Sequence, residues 1–200
     1  MTINTETSSR EVILEAAERL MAERGYAATS ISKICAESGL PVGSVYHHFG
    51  NKAGILEAVL ERGTRRFYAQ LETLTADPAL SAMERMRSYY KNAPEIVIDN
   101  RHYLSIQRDF LAGADTALAA LLDANNRLVT STLARVIVPA AAEAGVPDPE
   151  ALGARLARLS VTYAIGAMLL SRFEPDLLRA EMAPLLDVVL TAITAAAPQG

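Results

Sequence analysis

The sequence predicts an all-α protein with an N-terminal helix-turn-helix domain and a larger helical C-terminal domain. Apolar residues recur with a period of about 3.6 along the 200-residue chain, and the alternation typical of strands is almost absent. Glycine, proline and capping residues divide this pattern into successive helices. Half of the residues are hydrophobic and 21% are charged, which is the composition of a folded globular protein.

The first two predicted helices have clear ends. Ser8 and Glu11 form a capping-box pattern ahead of an apolar face, and Gly25 ends this first helix. A short second helix starts at Thr29 or Ser30 and ends at Gly39. Its buried face is expected to contain Ile31, Ile34 and Cys35.

A third helix is expected over residues 41–47, with Pro41 at its first position. Gly50 ends it, and Asn51 caps a fourth helix over residues 51–74. The third helix has four residues expected on its buried side: Val42, Val45, Tyr46 and Phe49. Two short helices joined by a glycine-containing turn, behind a longer helix, form a helix-turn-helix unit. At about 1.5 Å per residue the third helix is about 10 Å long and fits a major groove about 12 Å wide.

The second part of the chain is also predicted to be helical. Ser81 and Glu84 form another capping box, and Asp148 with Pro149 starts a helix that reaches Arg172 or Phe173. Pro184 must start or kink the last helix. Interruptions are expected at four places: Pro94, near Gly113, Pro139, and residues 145–149.

Charge is distributed unevenly along the chain, whose net charge is -4. Residues 1–70 hold eight basic and eight acidic residues, whereas residues 71–200 hold eleven and fifteen. Within residues 24–66, six basic residues face three acidic ones. This modest basic excess places any nucleic-acid contact in the first part of the chain.

The predicted helix-turn-helix unit supplies candidate DNA contacts. The solvent side of the third helix offers small and polar groups to base edges. Lys52 and the first turns of the second and fourth helices suit phosphates. The predicted DNA-binding residues are Thr29, Ser30, Pro41, Val42, Gly43, Ser44, Tyr46, His47 and Lys52. Arg62, Arg65 and Arg66 suit either a solvated face or, for the last two, DNA.

Residues 24–56 resemble the DNA-binding region of the TetR family of bacterial transcriptional regulators. The resemblance rests on residues at set spacings: Gly25, Tyr26, Thr29, Ser30, Ile31, Ile34, Gly39, Gly43, Tyr46, Phe49 and Lys52. It departs from the family pattern after the lysine, at Ala53 and Gly54. The resemblance implies that residues 41–44 face base edges and that Tyr46, His47 and Lys52 contact the DNA backbone.

The same resemblance implies a homodimeric repressor that binds a palindromic operator and is released by a small-molecule effector. It also implies a DNA-binding domain over residues 1–52 and a helical effector-binding and dimerisation domain over residues 53–200, linked by the fourth helix. Polar groups in apolar surroundings suggest the effector pocket. The predicted pocket residues are Tyr103, Gln107, Phe110, Asn126, Thr130 and Tyr163.

The resemblance also implies a dimer face built from the last two long helices. The helix that starts at Pro149 carries a stripe of small residues, which permits close approach of another helix. The last helix repeats the same spacing with larger residues. The predicted dimer residues are Gly153, Ala157, Ser160, Ala164, Ala167, Leu186, Val189 and Ile193.

Several other classes of protein are disfavoured. The single cysteine, Cys35, and three histidines cannot form a disulfide framework or a structural zinc site, so no metal or cofactor is expected, and the predicted location is the cytoplasm. The longest charge-free stretches have thirteen residues, whereas a membrane span needs about 20.

Two alternatives remain open. One is a helical enzyme that uses His102 with Asp99 or Asp109, although no third orienting group is identifiable and no catalytic residue is assigned. The other is an adaptor protein in which the helix-turn-helix is structural.

Overall fold

A computed structural model describes residues 8–111 and 116–198, with the side chains of residues 110–122 excepted. The regular structure of these residues is helical, which confirms the predicted fold class. The helices are α1 (Ser9–Arg24), α2 (Ile31–Ser38), α3 (Val42–Phe49), α4 (Lys52–Thr73), α5 (Ala82–Asp99), α6 (Arg101–Leu111), α7 (Thr116–Glu143), α8 (Pro149–Ser171), α9 (Pro175–Met182) and α10 (Pro184–Ala196).

Capping residues begin the helices where the sequence predicts. The Asn51 side-chain oxygen accepts from the Gly54 N–H at 3.0 Å, and Asp148 accepts from the Ala151 N–H at 3.0 Å. Ser81 and Glu84 form the complete capping box, whose hydrogen bonds from Ser81 lower the pKa of Glu84. Polar groups at the first turns thus satisfy backbone donors that have no partner within a helix.

Two predicted interruptions are wrong. Pro94 lies inside α5 and Pro139 lies inside α7. Proline has no N–H, so one carbonyl in the preceding turn lacks its helical hydrogen bond. Pro139 is exposed, and this carbonyl lies on the solvent side of α7. Pro94 belongs to the buried apolar face of α5. Packing therefore outweighs the helix-breaking tendency of proline at both positions. The interruption near Gly113 lies outside the described residues, and Pro184 starts α10.

The chain forms two compact units, and the first one contains the helix-turn-helix. This unit comprises residues 1–65 and 102–115, so it includes α1, α2, α3, the first part of α4, and α6. Helix α1 packs against both α2 and α3. Seven residues of α1 are buried: Ile13, Leu14, Ala16, Ala17, Glu18, Leu20 and Met21. Helices α2 and α3 therefore both pack against the longer helix α1.

The second unit comprises residues 66–101 and 116–200. Helices α7 and α8 pack along each other, and α5 contacts α7, α9 and α10. Asn100, fully buried, accepts from the Arg66 guanidinium at 2.8 Å and donates to Gln70 and to the Ile96 carbonyl. Because a buried amide needs its partners, these bonds fix the end of α5 against the end of α4.

Within the first unit, α6 packs closely against α4. A Cβ atom on Gly63 would lie within 3.0 Å of three carbons of the buried Tyr103 ring. The Tyr103 hydroxyl is hydrogen-bonded to Thr64 at 2.7 Å and to the Gln107 amide at 2.6 Å. Only glycine leaves room for this ring, so residue 63 sets the distance between the two helices.

Replacement of Gly63 by alanine should therefore destabilise the protein. The new methyl group overlaps a ring that is fixed at both ends, and such overpacking costs about 1–3 kcal/mol. The matched control is Gly43→Ala, because a Cβ at Gly43 meets no atom within 4 Å and should raise stability by up to about 1 kcal/mol. Chemical denaturation of the three proteins measures both effects, and a neutral Gly63→Ala would contradict the packing.

Candidate nucleic-acid interface

Helix α3 presents most of its surface to solvent. Val45 is its single buried residue at 1% exposure, whereas Val42 and Tyr46 are each 52% exposed. The expectation that both lie on the buried side is wrong, because a helix of two turns reaches the core with one residue. Pro41 is the N-cap rather than the first helical residue, and the helix continues to Phe49. An exposed apolar and aromatic surface on a helix this short indicates a contact with another molecule.

The other predicted DNA-binding residues are mostly on the same exposed surface. Gly43 and His47 are exposed, and Ser44 and Lys52 are half-buried. Ser30 caps α2 by accepting from the Lys33 N–H. Thr29 differs, because it is 2% exposed and its hydroxyl donates to the Gly25 carbonyl at 3.0 Å. The Thr29 side chain therefore stabilises the α1–α2 turn and is not accessible to DNA.

Two lysines meet at the loop before α2. The Lys52 ammonium lies 4.2 Å from the centre of the Tyr26 ring and donates to the Ala27 carbonyl at 3.3 Å. The Lys33 ammonium donates to the next carbonyl, Ala28, at 2.8 Å. Each ammonium has three donors, so both retain donors for an anion. Lys33 was missed by sequence analysis, although its place in the first turn of α2 directs its side chain back toward this loop.

The turn between α3 and α4 leaves no room for a side chain at Gly54. A Cβ there would come closer than 3.0 Å to the Phe49 carbonyl oxygen. The departure from the family pattern at this position thus accompanies a close approach of backbone to backbone. Glycine at position 54 therefore allows the first turn of α4 to lie directly against the end of α3.

A buried ion pair holds α1 against α4. The guanidinium of Arg62 donates to Glu18 at 2.5 Å and to Glu11 at 3.1 Å, and the Glu18 side chain is only 7% exposed. Arg62 is therefore a structural residue and not part of a solvated face. Arg65 pairs with Glu61 on the surface, and Arg66 bonds Asn100.

The structure does not bring the predicted pocket residues together. Tyr103 and Gln107 belong to the first unit and bond each other there, while Asn126, Thr130 and Tyr163 belong to the second. The Thr130 hydroxyl donates to the Asn126 carbonyl at 2.7 Å, and the Tyr163 hydroxyl donates to the Glu181 carbonyl at 2.8 Å. The Phe110 side chain lies outside the described residues. Each of these hydrogen bonds lies within one of the two units.

A group of three tyrosines was missed by the sequence analysis as a unit. Tyr89 and Tyr90 are buried on α5 with their ring centres 5.7 Å apart. Tyr90 is hydrogen-bonded to Ser160 at 2.6 Å, and Tyr68 donates to the Asn125 carbonyl at 2.6 Å. Burial is the main reason that the pKa of Tyr90 is raised to about 12. The adjacent pair Tyr89–Tyr90 was the available signal in the sequence.

The small residues predicted as a dimer face are packed inside the second unit. A Cβ on Gly153 would overlap the Val138 side chain of α7, and Ala157, Ser160 and Ala167 are at most 3% exposed. On the last helix Val189 and Ile193 are buried as well, and Ala164 and Leu186 are half-buried. A stripe of small residues admits a neighbouring helix within one chain, and here Gly153 lies against Val138 of α7.

Large apolar residues of the same two helices lie on the surface instead. Leu159, Leu169 and Leu170 of α8 are 45%, 51% and 74% exposed, and Val188 of α10 is 45% exposed. Helices α8 and α10 contact each other within the second unit.

The described residues contain no group of three or more His, Cys, Asp and Glu side chains arranged to hold a metal ion. Cys35 is half-buried rather than buried. None of the helices in the described part of the chain combines the length and hydropathy needed to cross a membrane. Asp109 pairs with Arg108, while Asp99 is exposed on the adjoining helix end.

Comparison with known proteins identifies relatives of the N-terminal part. Residues 13–59 match the family model of bacterial regulatory proteins, tetR family. The chain is 30% identical over 91 residues to the HTH-type transcriptional repressor NemR of Escherichia coli (strain K12), a match that covers 46% of each protein. It is 41% identical over 75 residues to the HTH-type transcriptional regulator LmrA of Bacillus subtilis, covering 36% of this chain and 40% of LmrA. These matches span less than half the length of the two relatives.

Similarity of structure extends along most of the chain. SmeT, the repressor of the Stenotrophomonas maltophilia multidrug efflux pump SmeDEF, superposes with a TM-score of 0.70 at 26% identity, covering 93% of this chain and 90% of SmeT. A complex of SmeT with triclosan gives a TM-score of 0.71 at 27% identity, covering 92% and 90%. Residues 13–59 therefore form a helix-turn-helix domain of the tetR family of bacterial regulatory proteins, and the fold of the chain is similar to that of SmeT.

Proposed function

We propose that this protein is a ligand-responsive transcriptional repressor that binds a palindromic operator as a homodimer. The observation that carries the proposal is the exposed face of α3 beside the two lysines of the α1–α2 loop. A helix that offers its surface to solvent, next to cations that keep free donors, suits a major groove flanked by phosphates.

Each part of this surface has its own role in the proposal. The residues that face base edges are Pro41, Val42, Gly43 and Ser44. Pro41 and Val42 contact thymine methyl groups, and the Ser44 hydroxyl can donate to or accept from a base edge. Tyr46, His47, Ser30 and Lys52 bind the DNA backbone, and Lys33 joins them. Thr29 supports the loop from inside. In this scheme residues 1–52 bind DNA, and residues 53–200 dimerise and bind the effector.

The exposed apolar residues of α8 and α10 form the proposed dimer face, which we define as Leu159, Leu169, Leu170 and Val188. Leu170 alone is 74% exposed, and a surface of this kind on a folded protein suits a partner. A second copy of this chain is that partner, because a palindromic operator has two identical half-sites about one helical turn or more apart.

The effector acts mechanically in this proposal. Helix α4 is continuous from Lys52 to Thr73, and Arg62 fastens α1 to it. A ligand that moves the far end of α4 therefore changes the separation of the two recognition helices. A coupling of about 1–3 kcal/mol is sufficient for a loss of about 5- to 150-fold in affinity. SmeT, a repressor crystallised with triclosan, supports a small-molecule effector by analogy.

The proposal is tested by binding of the purified protein to DNA from the neighbourhood of its own gene, against random competitor. We expect a competitor-resistant complex with two protomers per site. Complexes that random DNA removes equally well, even after copurified ligand is stripped from the protein, would favour the adaptor alternative.

Removal of either loop lysine should weaken binding to DNA of any sequence. Lys33→Met and Lys52→Met each delete one phosphate contact, so each should reduce the slope of log affinity against log salt by about 1. Lys91→Met is the matched control, because Lys91 is the remaining lysine of the chain and lies exposed on α5. An unchanged slope in both loop variants would contradict the phosphate role.

Replacement of Gly43 by alanine should lower the affinity for operator DNA without lowering folding stability. Its methyl group has open space in the protein but projects from the exposed face of α3, so it obstructs close approach to base edges. We expect operator affinity to fall by about tenfold or more, equivalent to about 1.4 kcal/mol, while binding to random DNA is retained and folding stability rises by up to about 1 kcal/mol. Electrophoretic mobility shifts on both DNAs measure this; operator binding equal to that of the unaltered protein would exclude Gly43 from the interface.

A charge on the dimer face should dissociate the dimer. Leu170→Glu places a carboxylate in the centre of an apolar contact, where two such charges also face each other across the two-fold axis. Sedimentation should show a monomer, and operator binding should fall with it. Leu128→Glu is the control, since Leu128 is 45% exposed on α7, outside the proposed face. A dimer that survives Leu170→Glu but not Leu128→Glu would place the interface on α7.

A further inference from the structure

Helix α3 lacks the side chains that distinguish bases by paired hydrogen bonds. Arginine and lysine recognise guanine, asparagine and glutamine recognise adenine, and carboxylates recognise cytosine. Residues 41–50, which comprise α3 and its two capping residues, contain none of these types. Their side chains with hydrogen-bonding groups are those of Ser44, Tyr46, His47 and His48. A serine hydroxyl bonds donors and acceptors alike, so it discriminates little between bases. Both histidines lie in the last turn, whereas the N-terminal residues of a recognition helix contact base edges.

The cations nearest to α3 are held by other parts of the first unit. The ammonium groups of Lys33 and Lys52 donate to two successive carbonyls of the α1–α2 loop. The Arg10 guanidinium lies 5.5 Å from the centre of the ring of Phe49, the last residue of α3. These contacts place positive charge at the loop and at the C-terminal end of the helix. The first turn of α3 therefore meets the base edges without a cation of its own.

Val42 is the group that projects from this first turn. It is the first residue of α3, and 52% of its surface is exposed. The space beside it is open, because a Cβ at Gly43 would meet no atom within 4 Å. The C5 methyl of thymine is the apolar group that base pairs present in the major groove. A polar base edge placed against Val42 loses its water without gaining a hydrogen bond.

We infer that Val42 determines the sequence specificity of this protein, through the methyl group of a thymine in each half-site, and that no guanine is read through its N7 atom. The inference rests on the proposed function and extends it by naming the base chemistry that the operator must supply. Specificity then depends on apolar contact and close approach at the first turn of α3, while the lysines add affinity for DNA of any sequence.

Selection from a random-sequence duplex library with the purified full-length protein identifies a site for the test. We expect each enriched half-site to contain at least one invariant T·A pair. Half-sites whose invariant positions are all G·C pairs would overturn the inference and leave the proposed repressor standing. Failure to enrich any sequence would refute the repressor, and the inference with it.

Base analogues placed in the selected site test the two chemistries separately. Deoxyuridine in place of thymidine removes only the methyl group, and 7-deazaguanine removes only the N7 acceptor of guanine. Loss of one buried methyl should weaken binding by about fourfold, and the same change in both half-sites by about 15-fold. Uracil outside the half-sites is the control and should have no effect, and neither should 7-deazaguanine.

The inference is overturned if uracil is tolerated at every thymine of the half-sites. It is equally overturned if 7-deazaguanine weakens binding more than uracil does. Both results leave the proposed repressor intact, because the selected site is still bound in preference to random DNA.

Val42→Ala then tests the residue through a double-mutant cycle. The ratio of affinities for the thymine and uracil sites should fall from about fourfold to about one, since the variant no longer contacts the methyl group. Thermal unfolding should be unchanged within error, because Val42 is exposed. Tyr46→Phe is the matched control on the same helix: it loses a backbone-binding hydroxyl, so both affinities fall and the ratio stays at about fourfold. An equal uracil penalty in Val42→Ala and the unaltered protein would overturn the assignment to Val42.

Discussion

The ion pair of Arg62 with Glu18 is the interaction on which the arrangement of the DNA-binding unit depends. Helix α3 buries only Val45, so its position is set by α1 and α2 rather than by a core of its own. Helix α1 is in turn held to α4 by a guanidinium that bridges Glu18 and Glu11. Removal of the Arg62 guanidinium leaves the Glu18 carboxylate buried without this counter-charge, and breaking a buried pair in this way costs about 3–5 kcal/mol. Helices α1, α2 and α3 are therefore connected by packing and by this ion pair to the first part of α4, within the first unit.

Local chemistry made much of the fold predictable. Ser81, Asn51 and Asp148 each begin a helix where an N-cap was expected, because capping depends on neighbours three residues away. The prolines at 94 and 139 misled the prediction, because their cost is outweighed by the packing of α5 and α7, which involves residues distant in sequence. Periodicity identifies an apolar face but not its partner, so Val42 and Tyr46 were assigned to a core that α3 is too short to reach.

The residues of the candidate sites also divide into those that a local motif predicts and those whose position depends on contacts distant in sequence. The helix-turn-helix motif predicts the exposed face of α3 and Lys52. Lys33 lies beside Lys52 because two successive carbonyls of the loop accept hydrogen bonds from the two ammonium groups, which the motif does not show. Gly153, Ala157 and Ser160 have the spacing of a close helix contact, but spacing does not show whether the second helix belongs to the same chain. Tyr103 was expected in a pocket because it is aromatic and polar. Its place against Gly63 depends on a contact forty residues apart, which no local pattern contains.

The chain crosses between the two units three times, and two of these crossings lie next to the bonded pair Arg66 and Asn100. Helix α4 crosses from one unit to the other after Arg65, and the chain crosses back after Arg101, directly beyond Asn100. Asn100 bonds both Arg66 of α4 and Ile96 of α5, so one buried amide links the residues at which these two crossings leave the second unit. A coupling of about 1–3 kcal/mol is comparable to one or two such hydrogen bonds. In the proposed mechanism, an effector that strengthens or breaks one or two of these bonds therefore changes the affinity for DNA by the required amount.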